Sequence, residues 1–263
     1  MDLGLSGKRA LVTAASQGLG KAIATELARE GCRVMIASRR EQALMRAAEE
    51  IRQEVGHADV TWHQVDVADA ESIQQLVQAA KGEWGGIDLL VTNAGGPTPG
   101  GFDDVTDGDW QQAFVLNLLS VVRLIRETLP LMRAQKYGRI VNVSSLSVRE
   151  PIPNLILSNA VRAGVVGMLK TLANEVAQDG ILVHNLAPGR IATDRIVQLD
   201  RAIAEKIGVS AESVRESQEL AIPLKRYGQP EEFAKMAVLL LSSANSYMTG
   251  ETVLVDGGAL RST

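Results

Sequence analysis

The chain has 263 residues, of which 46% are hydrophobic and 22% charged, and its formal net charge is −4 at pH 7. These values suit one α/β domain with a sizeable core, and the absence of a basic run argues against nucleic acid as a partner. The single cysteine, Cys32, excludes an internal disulfide and favours a reducing compartment, the cytoplasm. We find no apolar stretch that approaches membrane-spanning length, so we expect no membrane partner.

Short apolar segments alternate with segments of helical periodicity along most of the chain. The apolar segments are typical of buried parallel strands, because they are nearly continuous and lack the alternation of a half-exposed strand. This alternation predicts one domain over residues 1–263, a Rossmann-type doubly wound parallel sheet with helices on both faces. The predicted strands are 9–13, 33–37, 60–65, 87–92, 139–143, 182–186 and 252–255, and the helices are 19–30, 41–55, 70–84, 107–135, 154–178 and 230–241.

The first strand ends in a turn of sequence TAASQGLG, residues 13–20, that leads directly into a helix. Such a turn lets backbone amides approach phosphate, and the helix N-terminus adds partial positive charge. A merely tight turn is the alternative. The second strand ends in Ser38, Arg39 and Arg40, where a carboxylate would bind a free ribose 2′-hydroxyl. Arginine there fits a 2′-phosphate, which favours NADP over NAD, unless the two arginines are simply solvated.

The next two strands also end in residues suited to a ligand crevice. Asp66 and Val67 end the third strand, and Asn93, Ala94 and Gly95 follow the fourth. The carboxyl ends of the strands line the crevice of a doubly wound sheet. The small residues would let a cofactor lie against the backbone.

Residues 138–164 combine a buried strand with a helix that carries polar side chains. The strand runs into Ser144 and Ser145, and the helix carries Ser158 and Arg162 four residues apart. Residues at this spacing share one helix face. We therefore expect hydroxyls and a fixed cation to meet at the carboxyl end of this strand.

Residues 190–229 are rich in charge and helix formers but contain no predicted strand. Their apolar residues recur at helical spacing, which predicts an amphipathic substrate lid at about 190–228; a surface helix pair is the alternative. The acidic residues at 103–109 include a capping box, and we interpret them as caps and solvated charge. His57, His63 and His184 show no ligand spacing, so we expect no metal site.

Several motifs, in this order, resemble those of short-chain dehydrogenases/reductases of the single-domain, 3-oxoacyl-acyl-carrier-protein-reductase-like kind. Residues 13–20 resemble the family's Thr-Gly-x-x-x-Gly-x-Gly, with Ala14 in place of the first glycine. Residues 92–95 resemble its Asn-Asn-Ala-Gly, with Thr92 in place of the first asparagine. PGRIAT at 188–193 resembles the segment beside the nicotinamide carboxamide, and 247–258 resembles the last strand. The likeness covers nearly the whole chain.

The motifs and the resemblance together indicate which residues hold NADP. Those from the first half of the chain lie in the turns after the first four strands. Those from the second half lie on the catalytic helix and in the segment PGRIAT. The expected cofactor-binding residues are Thr13, Ser16, Gln17, Gly18, Leu19, Gly20, Ser38, Arg39, Arg40, Asp66, Val67, Asn93, Ala94, Gly95, Arg162, Pro188, Gly189, Ile191 and Thr193.

The resemblance also implies a catalytic group of four side chains. Its serine falls on Ser145 and its asparagine on Asn117, but its tyrosine position holds Ser158 and its lysine position holds Arg162. The loop at 95–102 resembles one in an atypical branch of the family that also departs from this tetrad. An aliphatic hydroxyl is a far weaker acid than a phenol, and arginine effectively never deprotonates. The family's ordinary mechanism is therefore impaired or absent.

Two hypotheses about function follow. The first is an NADP-dependent oxidoreductase that interconverts a small-molecule carbonyl and an alcohol by hydride transfer, with a non-standard proton-transfer site. The second is a catalytically impaired nucleotide-binding protein with a sensor or assembly role. The resemblance further implies a homodimer or homotetramer formed through helices 107–135 and 154–178.

Overall fold

Seven parallel strands form one sheet, in the order β3-β2-β1-β4-β5-β6-β7, in the computed structural model, which describes residues 2–261. Helices cover both faces of the sheet, so the predicted doubly wound α/β fold is confirmed. The strands are β1 Arg9–Thr13, β2 Arg33–Ser38, β3 Asp59–Gln64, β4 Leu89–Thr92, β5 Gly138–Val143, β6 Ile181–Pro188 and β7 Thr252–Val255.

The strand order reverses next to β1, where the chain crosses from β3 to β4. Leu11 of β1 pairs with Met35 on one side and with Leu90 of β4 on the other. A crevice opens at such a switch point, outside the carboxyl ends of the strands. The turns after β1 and β4 therefore lie side by side.

Each face of the sheet packs a separate core. Val12 faces Ile23 and Phe233 on one side, whereas its neighbour Leu11 faces Ile73 and Leu124 on the other. Because successive strand residues point to opposite faces and both faces are covered, the central strands are mostly apolar along their length. The helices are α1 Gly18–Arg29, α2 Glu41–Val55, α3 Ala70–Trp84, α4 Asp107–Phe114, α5 Ser120–Gln135, α6 Ile156–Val176, α7 Asp194–Ile207, α8 Ala211–Ala221 and α9 Pro230–Leu241.

The predicted helix 107–135 was wrong in its continuity, because a π-helical turn at Val115–Leu119 separates α4 from α5. The extra residue of a π turn changes the hydrogen-bond pattern only locally, and the helical backbone continues on both sides of it. The predicted start of the next helix at 154 was two residues early. Asn154 has a φ of +60°, which lies outside the right-handed helical region, and α6 begins at Ile156.

The region from 190 to 229 leaves the sheet and returns to the same point. Ile191 and Gly228 form a bridge, and the amide of Ala192 donates to the carbonyl of Gly228 at 2.8 Å. Between these two ends the chain forms α7 and α8, which pack on each other. Backbone hydrogen bonds therefore join the two ends of the region 190–229.

The segment Ile156–Asp179 is long and apolar enough to cross a membrane by length and composition alone, with a mean hydropathy of 1.2 over its most apolar window. The sequence had suggested no such stretch, so that expectation was wrong. Its inner face packs against the sheet through Val165, Leu169 and Ala173. A core helix of a soluble protein passes the same test, so the observation is weak evidence for a membrane span.

Candidate active site

The N-terminus of α1 lies at the switch point without a side-chain cap. Its N-cap residue, Gln17, makes no capping hydrogen bond, so the first amides of the helix remain available to a ligand. Gly18 has a φ of +58°, and a Cβ on Gly20 would lie 2.5 Å from the carbonyl oxygen of Ala14. Both glycines are needed for this backbone shape, and the bare amides fit a cofactor diphosphate.

The residues expected at the adenosine end form one exposed patch beside this turn. The Arg40 Nη2 donates to Gln17 Oε1 at 3.2 Å, and the hydroxyls of Ser16 and Ser38 lie 3.1 Å apart. Arg39 is also exposed. Arginine side chains beside a bare helix N-terminus suit a second phosphate group in addition to the diphosphate.

Asp66 and Val67 differ in what they present to a ligand. The Asp66 carboxylate accepts from the amide of Ala68 at 3.0 Å and closes the turn after β3. Val67 is buried and packs in the core beneath α3. Only Asp66 of this pair lies toward solvent through its side chain.

Two of the residues predicted to bind cofactor, Thr13 and Asn93, hold the turns of β1 and β4 together. The buried Thr13 hydroxyl donates to the carbonyl of Asn93 at 2.8 Å and accepts from its amide at 2.9 Å. Asn93 Nδ2 donates to the carbonyl of Ala14 at 3.4 Å. Their side chains thus shape the crevice. Ala94 and Gly95 follow, and a Cβ on Gly95 would meet no atom within 4 Å.

The segment after β6 brings the start of α7 over the start of α1. Pro188 ends β6, and the amide of Gly189 donates to the carbonyl of Val255 at 2.9 Å. Ile191 is buried, whereas Thr193 is the N-cap residue of α7. The Thr193 methyl group lies 3.9 Å from the position that a Cβ on Gly18 would occupy. The cofactor residues predicted on 188–193 and on 16–20 are therefore neighbours.

Asn117 lies in the π-helical turn and is 3% exposed. Its Nδ2 donates to the carbonyl of Gly95 at 2.7 Å, while its Oδ1 has no partner among the described residues. π turns inside helices occur frequently at functional sites, since they redirect one side chain out of the helical register. Here the turn directs Asn117 to the loop that follows β4.

Arg162 is a buried cation without an anionic partner. Its Nη1 donates to the carbonyl of Val143, the last residue of β5, at 3.1 Å. Its Nε has no partner, and no carboxylate in residues 2–261 lies within ion-pair distance of it. Burial lowers the pKa of Arg162 to about 10, with the charge of Arg195 as a second cause. The guanidinium still carries its charge at neutral pH.

Serine side chains cluster opposite this cation. The Ser158 hydroxyl is buried and lies 3.2 Å from the hydroxyl of Ser147, whose amide donates to Ser145 Oγ at 3.2 Å. The structure thus brings Ser145 and Ser158 together through Ser147, a residue that sequence reasoning missed. The only signal for it was a serine two residues beyond Ser145, a spacing typical of a local hydroxyl-to-amide turn.

A small polar cavity of about 10 Å³ lies between Asn117 and Arg162, and its size suits a single water molecule. Asn142 lines it and was also missed by the sequence analysis. Thr92 donates to Asn142 Oδ1 at 2.9 Å, and Asn142 Nδ2 donates to Asn185 Oδ1 at 2.7 Å. This buried polar ladder across three strands ends beside the unpartnered atoms of Asn117 and Arg162. No cluster of three potential metal-ligating side chains occurs within residues 2–261.

The comparisons with known proteins agree with this geometry. Residues 13–259 match the family model described as enoyl-(acyl carrier protein) reductase. The chain is 31% identical to the NADPH-dependent reductase BacG of Bacillus subtilis, covering 98% of this chain and 100% of the relative. It is 34% identical to the 3-oxoacyl-[acyl-carrier-protein] reductase FabG of Aquifex aeolicus, covering 98% and 99%.

A solved structure also matches the whole fold. L-sorbose reductase from Gluconobacter frateurii, complexed with NADPH and L-sorbose, has a TM-score of 0.94 and 33% sequence identity, and the match covers 100% of both chains. The family match, the sequence relatives and the shared fold therefore identify the chain as a member of the short-chain dehydrogenase/reductase family, of the 3-oxoacyl-acyl-carrier-protein-reductase-like kind.

Proposed function

We propose that this protein is an NADP(H)-dependent oxidoreductase that interconverts a small-molecule carbonyl and an alcohol. One observation carries the proposal: two kinds of site lie at the carboxyl ends of the same parallel strands. The first is the uncapped N-terminus of α1, beside Arg39 and Arg40, and the second is the buried cation Arg162, two strands away. The first half of this arrangement suits NADP, and the second half suits a polarised carbonyl. The relatives described as NADPH-dependent reductases support the same activity.

The chain would hold the cofactor mainly through backbone groups. The first amides of α1 and the glycines at 18 and 20 bind the diphosphate. Arg39 and Arg40 would bind the 2′-phosphate, and Asp66, in the turn after β3, would contact the adenine. Ala94 and Gly95 offer a flat backbone surface, and Thr193 closes over the diphosphate from the lid side. When bound, the cofactor supplies or accepts the hydride.

The side chains at the other end position and polarise the substrate. Ser145 keeps its hydroxyl hydrogen free to donate to the substrate oxygen, since its Oγ accepts from the Ser147 amide. Arg162 holds the nicotinamide ribose and contributes positive potential where negative charge develops on that oxygen. Its buried location strengthens this effect, because water does not screen it.

Proton transfer is the step in which this member of the family differs from the usual pattern. We infer that Ser158 and Arg162 stand in place of the family's tyrosine and lysine. Neither side chain changes its net protonation state near neutral pH, so neither serves as the acid by itself. The proton therefore comes from water, passed along the hydroxyls of Ser158 and Ser147 and along the polar cavity at Asn117. Reduction is therefore slower than with a phenol as the proton donor. It still proceeds, because the positioning of the substrate and the electrostatic stabilisation of its oxygen are retained.

A second candidate function is nucleotide binding without redox activity, in a sensor or assembly role. It is favoured by the Ser158 hydroxyl, which is buried and already paired with Ser147. Under this hypothesis Arg162 only anchors the cofactor ribose. The double substitution Ser158→Tyr with Arg162→Lys separates the two functions: it restores activity to an impaired protein and lowers the activity of a working atypical enzyme.

We further propose that residues 190–228 form the substrate lid over this domain. The support is that α7 and α8 form a pair rooted at one backbone bridge, Ile191 with Gly228. A guanidinium on α7, that of Arg195, reaches the carbonyl of Pro97 in the loop after β4, at 3.2 Å. Closure of this pair would exclude water from the hydroxyl cluster.

We also propose a cytoplasmic homodimer or homotetramer assembled through helices 107–135 and 154–178. The support is the outer face of α6, where Ala163, Gly164 and Gly167 are exposed on an otherwise apolar helix. Small residues let two helices approach closely. Multi-angle light scattering on the purified protein distinguishes a dimer, a tetramer and a monomer.

The oxidoreductase proposal is tested by titrating the purified protein with NADPH and NADH and then supplying carbonyl substrates. Tight NADPH binding, with oxidation of NADPH by at least one ketone, aldehyde, sugar or acyl thioester, supports it. Binding of NADPH without turnover on any of these leaves the second candidate. Failure to bind either dinucleotide contradicts both.

A further inference from the structure

A second guanidinium faces the site from the lid. Arg195 is the second residue of α7, and its Nη2 donates to the carbonyl of Pro97. The same nitrogen lies 3.3 Å from the position that a Cβ on Gly96 would occupy. Arg195 thus lies against the loop after β4, and its remaining donors are not used by any described residue.

Neither Arg195 nor Arg162 has an acidic partner among residues 2–261. Arg162 lies on the floor of the site and is 8% exposed, whereas Arg195 is exposed at its mouth. No carboxylate of residues 2–261 lies within 4 Å of either guanidinium. The charge of Arg195 is felt at Arg162, where it adds to the lowering of that pKa. Arg162 is buried without an acid, and Arg195 has donors available at the mouth of the site, so both can act on an anionic ligand.

The cofactor diphosphate does not account for this anion. The diphosphate is expected at the amides of α1, and the residue of the lid that lies against that turn is Thr193. Arg195, two residues later, instead donates to the carbonyl of Pro97, in the loop after β4. The ribose that Arg162 would hold is neutral, so it leaves both charges uncompensated.

We propose that the substrate bears a carboxylate, which Arg195 binds at the mouth of the site while the reacting carbonyl lies between Ser145 and Arg162. A guanidinium edge pairs with the two oxygens of a carboxylate in a planar, two-bond arrangement. The substrate class is therefore an oxo acid or, in the reverse direction, a hydroxy acid. This inference rests on the oxidoreductase activity proposed above and specifies its substrate.

The test uses pairs of probes with and without the negative charge: 3-oxobutanoate, 4-oxopentanoate and 2-oxo-4-phenylbutanoate, each against its methyl ester. The readouts are kcat/KM with NADPH and, independent of turnover, calorimetric binding of each probe to the protein–NADPH complex. The variants are the wild type, Arg195→Gln and a control, Arg201→Gln, which removes an exposed charge from another face of α7.

We expect the wild type to prefer at least one acid over its ester by about 10- to 100-fold in binding and in kcat/KM, as a charge-assisted pair contributes. Arg195→Gln should abolish that preference and leave NADPH affinity unchanged, and Arg201→Gln should behave like the wild type. Equal binding of acids and esters overturns the inference, and so does an Arg195→Gln variant that loses NADPH affinity. If esters are reduced without a preference for acids, the carboxylate inference fails and the oxidoreductase proposal is supported. If acids bind preferentially without any turnover, the oxidoreductase proposal fails and the carboxylate inference is supported.

Discussion

The two ends of the crevice recognise their ligands by different means. The nucleotide end is built from backbone: the bare amides of α1 and the glycines at 18 and 20. The catalytic end is built from side chains that arrive from separate elements, with Asn117 on a π turn, Ser145 after β5 and Arg162 on α6. A backbone site tolerates changes of side chain as long as its shape survives. A side-chain site changes its chemistry with each substitution.

The two ends also treat positive charge differently. Arg39 and Arg40 are exposed, so water and salt screen them, and they add specificity at small cost to the fold. Arg162 is buried with an unpartnered Nε, which the rest of the fold must stabilise. An uncompensated buried cation is retained where it acts on a ligand. The comparison thus predicts that removing charge affects binding at one end and turnover at the other.

The largest effect is expected from Arg162→Met, which keeps the length of the side chain and removes its charge. We expect kcat to fall by about 100-fold or more, the typical loss for an electrostatic group that acts on a developing oxyanion. The thermal midpoint should stay unchanged or rise, because a buried unpaired charge is replaced by an apolar group. Steady-state kinetics and thermal unfolding measure the two quantities. Full activity, or a fall in midpoint that explains the loss, would contradict this role.

The next effect concerns the other end, where Arg39→Asp should weaken NADPH binding by about 10- to 100-fold and NADH binding hardly at all. The new carboxylate repels the 2′-phosphate but can accept from a free ribose hydroxyl. Arg46→Asp is the control, since Arg46 is exposed on α2 and makes no recorded ion pair. Fluorescence titration gives both affinities. A similar loss for NADPH and NADH would show that Arg39 does not read the 2′-phosphate.

The same contrast explains what the sequence could predict. The strands, the turn at 13–20 and the arginines after β2 are determined by residues close together in the sequence, so they could be predicted from it. The link from Ser158 to Ser147 and the ladder through Asn142 depend on contacts between distant elements. No spacing rule encodes such contacts.

Two other features stayed hidden for related reasons. The π turn at Val115–Leu119 lies between two helical segments without a break in the helical backbone, so the sequence predicted one continuous helix. In the sequence, Arg195 is one charge among many on an amphipathic helix. Only the structure shows that it donates a hydrogen bond to the carbonyl of Pro97. The sequence could predict which residues belong to the site. Their hydrogen-bond partners could be identified only from the three-dimensional structure.

A smaller effect is expected from the base of the lid. The buried Asp200 accepts from Arg190 Nη1 at 2.6 Å and from the Tyr227 hydroxyl at 2.9 Å. Burial, opposed in part by Arg190 and reinforced by Asp200, raises the pKa of Tyr227 to about 12, so this hydroxyl remains a donor across the neutral range. Asp200→Asn should destabilise the lid locally by about 1–3 kcal/mol and raise KM more than it lowers kcat.

Hydrogen exchange across 194–221 measures the loosening directly. Tyr227→Phe is the matched variant, because it leaves the ion pair of Arg190 with Asp200 in place and keeps the ring that Arg190 and Arg215 face. It removes only the hydroxyl, which donates to Asp200 and accepts from Arg190. We expect it to accelerate exchange less than Asp200→Asn does. Unchanged exchange in Asp200→Asn would show that the lid is not held by this cluster.

The smallest effect tests whether backbone shape alone defines the nucleotide end. Ala14 has a φ of +48°, a left-handed conformation that glycine adopts without steric cost. Ala14→Gly should therefore raise the free energy of unfolding by about 0.5–1 kcal/mol, less the entropy that glycine adds to the unfolded chain. The control Ala15→Gly, at a fully buried position without positive φ, should lower it by about 1 kcal/mol. Denaturant unfolding measures both, and NADPH affinity should change less than about twofold. A large gain in affinity with Ala14→Gly would mean that the alanine distorts the turn, and the nucleotide end would then depend on side-chain identity as the catalytic end does.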